Sequence, residues 1–233
     1  MKNEGTARYF VGIELDRGVR SACAQIAARL RDAGFSAAFE GPEKLHITLA
    51  FLGNVPSERF AEFEGALRRA ACAMSPFVLI VDRIGAFPHE RSPRVVYIGA
   101  RQQGSAFRNA AAIVRAEYAR LGFAFKDDAV AHVTIARVKG NACTGPPPTI
   151  DVQPIPVPVS EIVLFESIFD PSRRSTRYEI AARASLEAGV DARCRQNQQP
   201  EDDAFGDESG NGETNGSVRS SRPRRKERRD ESE

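Results

Sequence analysis

Two short words in this chain share one form. His46-Ile47-Thr48-Leu49 and His132-Val133-Thr134-Ile135 each read histidine, apolar, threonine, apolar, and they use two of the three histidines in 233 residues. In a strand, successive side chains point to opposite faces, so His and Thr at i and i+2 share a face. Ile47 and Leu49, or Val133 and Ile135, then face a core. If the two strands lie side by side, two imidazoles and two hydroxyls line one surface. Imidazoles titrate near neutrality and can act as acid and base, and hydroxyls can donate to phosphate oxygens, so the set suits acid–base chemistry on a phosphate. Arg137 follows the second word and would add a cation. Its odd offset from His132 puts it on the other face unless a β-bulge intervenes.

The elements around the words repeat. Tyr9–Leu15 reads as a strand, and Arg17–Ala33 as a helix with Val19, Cys23, Ile26, Ala27 and Leu30 on one stripe. Gly34 stops it and Phe35 follows. The second half runs strand Arg94–Ala100, helix Ser105–Leu121, Gly122, Phe123, and then the second word. Ile13 precedes His46 by 33 positions and Ile98 precedes His132 by 34. Matching spacing predicts two similar lobes about a pseudo-twofold axis, each supplying one catalytic strand. Between them lie a helix over Glu58–Ala73, a buried strand Phe77–Val81 and a proline-marked loop Phe87–Pro93. Val157–Glu166 and Arg177–Ala182 give the last strands.

Residues 1–186 therefore read as one folded two-lobed domain. Residues 187–233 are poor in apolar residues, with Phe205 the sole aromatic, and read as a disordered charged tail. Acidic residues come first in it and Arg219–Arg229 is basic, a solvated tail or an arm for RNA. The net charge of +2 excludes a broad basic footprint, so nucleic-acid contact would be local. Cys23, Cys72, Cys143 and Cys194 form no CxxC pair and read as reduced thiols. No carboxylate or cysteine cluster with metal-ligand spacing accompanies the histidines, and no cofactor motif is found. No apolar run approaches the ~20 residues of a membrane span, and no leader is expected. His89 reads as an exposed loop residue and Arg94 as a solvated strand-edge cation. Phe39 and Phe87 read as core before base-stacking platforms, and Glu166 and Ser167 as a strand-end polar pair.

The residues resemble those of the two-histidine phosphoesterases, and within them the RNA 2′,3′-cyclic phosphodiesterases, also called 2′-5′ RNA ligases. The resemblance covers about Ala7–Arg183. It rests on Leu45-His-Ile-Thr-Leu-Ala-Phe-Leu-Gly53 with Pro42-Glu43 ahead of it, on His132-Val-Thr-Ile-Ala-Arg-Val138, on Phe87-Pro88 with Pro93-Arg94-Val95, and on Leu164-Phe-Glu-Ser167 with Arg177-Tyr178. Phe39 stands where the family usually has a tryptophan, and Ala38 and Gly41 replace its basic neighbours. Ala129-Val-Ala131 stands where Phe-x-Pro is common.

The resemblance implies a LigT-like α+β fold, with antiparallel sheets of two pseudo-symmetric lobes lining a central groove and helices outside. It implies metal-independent opening of RNA 2′,3′-cyclic phosphate ends to 2′-phosphates, and in reverse a 2′-5′ joining. His46 would be the acid and His132 the base, with Thr48, Thr134 and Arg137 on the phosphate. The expected partners are RNA 3′ ends or nucleotides bearing a cyclic phosphate, without membrane or cofactor, for a cytoplasmic monomer. The competing expectations are a small-nucleotide cyclic phosphodiesterase and a binding module without turnover.

Overall fold

In this chain the histidine words must be held by strands, and a computed structural model shows how. It describes residues 5–138, 145–172 and 175–187, which fall within one compact unit. The expected tail, Cys143 and Cys194 lie outside the described residues. The first half contains β1 (Thr6–Glu14), α1 (Arg17–Asp32), the two-residue β2 (Ala38–Phe39) and β3 (His46–Pro56). Then come α2 (Phe60–Cys72), β4 (Phe77–Val81) and β5 (Arg83–Phe87). The second half contains β6 (Val95–Gly99), α3 (Ser105–Ala119) and β7 (His132–Arg137), followed by β8 (Ile155–Val159), β9 (Glu161–Asp170) and β10 (Ser175–Ser185).

Among the described residues the main sheet runs β10-β9-β1-β3-β7-β6-β5, with β2 also on β7. Every pairing is antiparallel. The two halves meet at β3 and β7, which share the single register pair Ile47↔Val133. Outward from that seam, β1 flanks β3 as β6 flanks β7, and β9 flanks β1 as β5 flanks β6. The sheet thus carries the twofold pattern of the sequence repeat.

One face of the sheet packs under the helices. Ile13, Ile47, Leu49, Ile98, Val133 and Ile135 are almost wholly buried there with Leu30 of α1, Phe63 of α2 and Phe107 of α3. At about 1.5–3 kcal/mol for each large aliphatic or aromatic side chain removed from water, this layer fixes which way each strand faces. A one-residue slip of β3 or β7 would turn those apolar residues outward, so the histidines and threonines are committed to the opposite face. α1 begins at Asp16, whose side chain accepts the Val19 N–H at 2.8 Å. α1 and α3 both end ahead of a positive-φ glycine, Gly34 and Gly122, as the repeat predicts.

Three expectations change. The segment read as one strand from Val157 breaks at Ser160, and its parts join different sheets: β8 pairs with β4, and β9 joins the main sheet. β4 is one-faced rather than buried, with Val78 and Ile80 exposed; its partner β8 has prolines at alternate positions, tolerable only on a sheet edge. Cys72 is disulfide-bonded, not a reduced thiol, because pairing follows proximity in the fold rather than sequence spacing. Cys23 is free and buried, as expected. Among the described residues, no helix is long and apolar enough to cross a membrane.

Candidate active site

The Ile47↔Val133 pair sets the geometry of the site. In an antiparallel register centred there, His46 lies across from Thr134 and Thr48 across from His132. The two histidines then sit on a diagonal, where strand positions are about 7–8 Å apart. A tetrahedral phosphate fits between them, with one imidazole on either side. Both histidines and both threonines line one groove of about 780 Å³.

Each ring is held by the same device. His46 Nδ1 lies 2.7 Å from the Lys44 carbonyl and His132 Nδ1 lies 2.8 Å from the Val130 carbonyl. A carbonyl can only accept, so Nδ1 carries the proton in both rings, and Nε2 is the nitrogen left to exchange protons. Aromatic walls hold the rings as well. Phe10, Phe165 and Tyr178 surround His46, with ring centroids 4.8, 5.7 and 5.0 Å away. Phe87 and Tyr97 surround His132 at 5.1 and 5.3 Å.

Burial disfavours the charged ring and pushes His46 down to about 4. The Lys44 carbonyl raises it, the charges of His132 and Arg137 lower it, and Glu40 raises it. His132 is also lowered, by burial first and by Arg137, against a raising bond to Val130. In the open groove both rings are therefore neutral near pH 7. An incoming anion favours the protonated forms and raises both.

The neutral His46 has a consequence for stability. Unfolded, a histidine takes a proton at about 6.5; folded, His46 takes it only near 4. Above pH 6.5 both states are neutral and nothing is lost. Between 6.5 and 4 the unfolded state alone binds the proton, so stability falls with falling pH. The shift corresponds to about 3 kcal/mol, and about 2 after allowing for the ring edge that faces groove water. Urea titrations at pH 7 and pH 4.5 should show wild type losing more stability than His46→Gln by roughly that amount; equal losses would show that His46 is not buried neutral.

Arg137 resolves through a bulge. Thr134 pairs with Tyr97 and Ala136 with Val96, so Ile135 is the extra residue. Ile135 and Ala136 are both buried, and Arg137 returns to the groove face. Its Nε donates to Glu40 Oε1 at 2.8 Å, and Lys44 Nζ lies 3.8 Å from the other oxygen of that carboxylate. β3 has the same bulge at Leu49, since Thr48 pairs with Gly12 and Ala50 with Val11. Phe51 is therefore the counterpart of Arg137, and it stands 63% exposed in the groove. Gly12 makes the tight crossing possible: a Cβ there would lie 2.6 Å from the Ile47 carbonyl oxygen.

All five residues singled out in the sequence, His46, Thr48, His132, Thr134 and Arg137, thus line one groove. Sequence reasoning missed Phe51, Tyr178, Glu40 and Phe169, which line it too. Phe51 had a signal, because it occupies the place after its word that Arg137 occupies after the other. Phe39 and Phe87 line the groove half-buried; Arg31 lies 4.8 Å over the Phe39 ring, and Phe87 stacks on Tyr97 at 4.5 Å. His89 is exposed and takes the Ser92 N–H, and Arg94 lies outside the groove. Among the described residues, no group of three His, Cys, Asp or Glu is placed to hold a metal ion.

Known proteins resemble this chain in sequence and in fold. A LigT-like phosphoesterase family model matches residues 13–97. An RNA 2′,3′-cyclic phosphodiesterase of Archaeoglobus fulgidus is 38% identical over 132 residues, 57% of this chain and 73% of that protein. One of Thermotoga maritima is 28% identical over 185 residues, 78% of this chain and 97% of that protein. The crystal structure of Escherichia coli LigT in its apo form superposes with a TM-score of 0.63 at 28% identity, covering 79% of this chain and 99% of that one. The same enzyme complexed with 3′-AMP gives 0.61 at 30% identity.

Proposed function

The chain belongs to the LigT-like phosphoesterases, the family of the RNA 2′,3′-cyclic phosphodiesterases, and on that premise we propose that it opens 2′,3′-cyclic phosphates at RNA 3′ ends by two-histidine catalysis. One observation carries the catalytic part: two imidazoles, each fixed through Nδ1 to a backbone carbonyl, offer Nε2 to one groove from opposite sides of the Ile47↔Val133 seam.

The cyclic phosphate brings one negative charge, which raises both imidazoles. The family resemblance assigns the proton to His46 and leaves His132 neutral, so bound substrate must reverse the order of the free rings, in which the charge of His132 lowers His46. A water attacks phosphorus and gives a proton to His132 Nε2. The bond from phosphorus to the 3′ oxygen breaks on the far side, and His46 Nε2–H protonates that oxygen. The product is a 2′-phosphate. Attack and departure in line require acid and base on opposite sides of phosphorus, which the diagonal provides. Thr48 and Thr134 hydroxyls donate to the two non-bridging oxygens, and Arg137 faces the charge that grows there. With a 5′-hydroxyl in place of water, the same groups carry a 2′-5′ joining through the same step: the 5′ oxygen bonds to phosphorus, its proton goes to His132, and the 3′ oxygen leaves with the proton of His46.

One chain is the working unit in this proposal, and the cytoplasm its place of action, although the disulfide at Cys72 is a bond that reducing compartments disfavour. The test is hydrolysis of a short RNA ending in a 2′,3′-cyclic phosphate, in EDTA, with the product identified by mass and by its resistance to 3′-phosphate-specific release. Turnover to the 2′-phosphate supports the reading. Binding without product would make the chain a binding module instead.

A further inference from the structure

Next to the catalytic groove, the main sheet splits. The ladder between β1 and β9 runs from Gly12↔Val163 to Tyr9↔Glu166 and stops there. Beyond it, among the described residues, β1 continues over Thr6–Arg8 paired only to β3, and β9 continues over Ser167–Asp170 paired only to β10. The parted strands enclose a second cavity of about 620 Å³. Two strand edges with unpaired N–H and C=O groups face it, and such groups take polar partners. Arg8, Ser167, Phe169 and Thr176 line both this cavity and the groove, so the two are continuous. Phe169 stands at the join, 59% exposed.

We infer that this split is the subsite for the nucleotides upstream of the cyclic phosphate, so that the preferred substrate is an RNA chain and not a mononucleotide. The inference rests on the function proposed above. A 2′,3′-cyclic phosphate closes the 3′ end, so an RNA leaves the groove only through its 5′ side. Arg8 lies four residues along β1 from Gly12, which pairs with Thr48. That is about 13 Å at strand rise, on the order of two extended nucleotides from the catalytic phosphate. Arg8 is exposed and forms no ion pair with any described residue, which leaves its fork for a backbone phosphate. Glu166 also lines the split, and its charge acts on Tyr9. Phe169 offers a face for a base, a contact that tolerates any sequence.

The groove opens on its other side too, toward Arg115, Lys126, Asp127 and Asp128. That side suits a polyanion less. It carries two aspartates, and Arg115 is already committed to the Leu49 carbonyl at 3.1 Å and to the Asp127 carbonyl.

The experiment compares kcat/KM for 2′,3′-cyclic AMP and for a trinucleotide with the same terminal group. Wild type should favour the trinucleotide at least tenfold. Arg8→Ala and Phe169→Ala should each cost the trinucleotide about tenfold more than the mononucleotide, and Arg8→Ala should reduce the trinucleotide's salt slope by about one. Lys126→Ala should weigh equally on both. Equal wild-type values for the two substrates, or a trinucleotide penalty in Lys126→Ala and none in Arg8→Ala, would overturn the inference while the catalytic reading stands. No hydrolysis of either substrate by wild type would end both.

Discussion

Replacing His46 or His132 with alanine is expected to lower kcat on a cyclic-phosphate RNA about 10³-fold each, because each change deletes one proton carrier from a step that needs two. The double variant should be little worse than either single one, since one missing partner already disables the pair. Both rings face the groove and neither sits in the helix-packed core, so the melting transition at pH 7 should survive. The pH profile separates this chemistry from a merely structural role. The productive free enzyme holds one proton between two rings that both titrate below 6.5. Above 6.5 that form declines, and kcat/KM should fall close to tenfold per unit toward alkali. With substrate bound, the phosphate charge raises both rings, so the alkaline limb of kcat should lie at higher pH than that of kcat/KM. Single variants retaining more than a tenth of wild-type kcat, or a kcat/KM flat from pH 6 to 8, would remove the histidines from the mechanism.

How much of this was legible in the chain depends on what each feature answers to. The two words, the helices α1 and α3 that precede them and the glycine stops of those helices follow local rules, namely period two, period 3.6 and a left-handed residue after a helix, and they stand where the sequence puts them. The pairing of β3 with β7 through a single register is not local; the repeat suggests it and the apolar layer beneath Ile47 and Val133 enforces it. β5 was invisible, because Arg83-Ile-Gly-Ala-Phe87 lacks a clear alternation and the following proline reads as a loop. It holds its place by pairing with β6, where Gly85 lies opposite Tyr97. The break at Ser160 was hidden because an apolar run does not say how many sheets it serves. Tyr178 could not be placed at the groove, since it reaches it from β10, far from either word in sequence, and Glu40, in the turn before the first word, follows no periodicity that says where its carboxylate points.

Arg137→Ala is expected to reduce kcat/KM about 10²-fold, the cost of one charged donor lost where transition-state charge collects. Its place depends on the bulge at Ile135, on the Glu40 carboxylate that takes its Nε–H, and on a hydrogen bond with the Tyr178 side chain. Lysine keeps the charge but lacks the fork, and cannot be gripped at Nε while reaching forward. Arg137→Lys should therefore recover only part of the loss, about tenfold. A second readout follows from the same charge. Arg137 lowers both His46 and His132, so its removal lets both imidazoles rise. The alanine variant should be slower at every pH, yet its kcat/KM maximum should move toward alkali, while Arg137→Lys should keep the wild-type position. Slow turnover with an unmoved profile would mean that Arg137 acts by shape alone, and a loss below fivefold would place it outside the phosphate's reach.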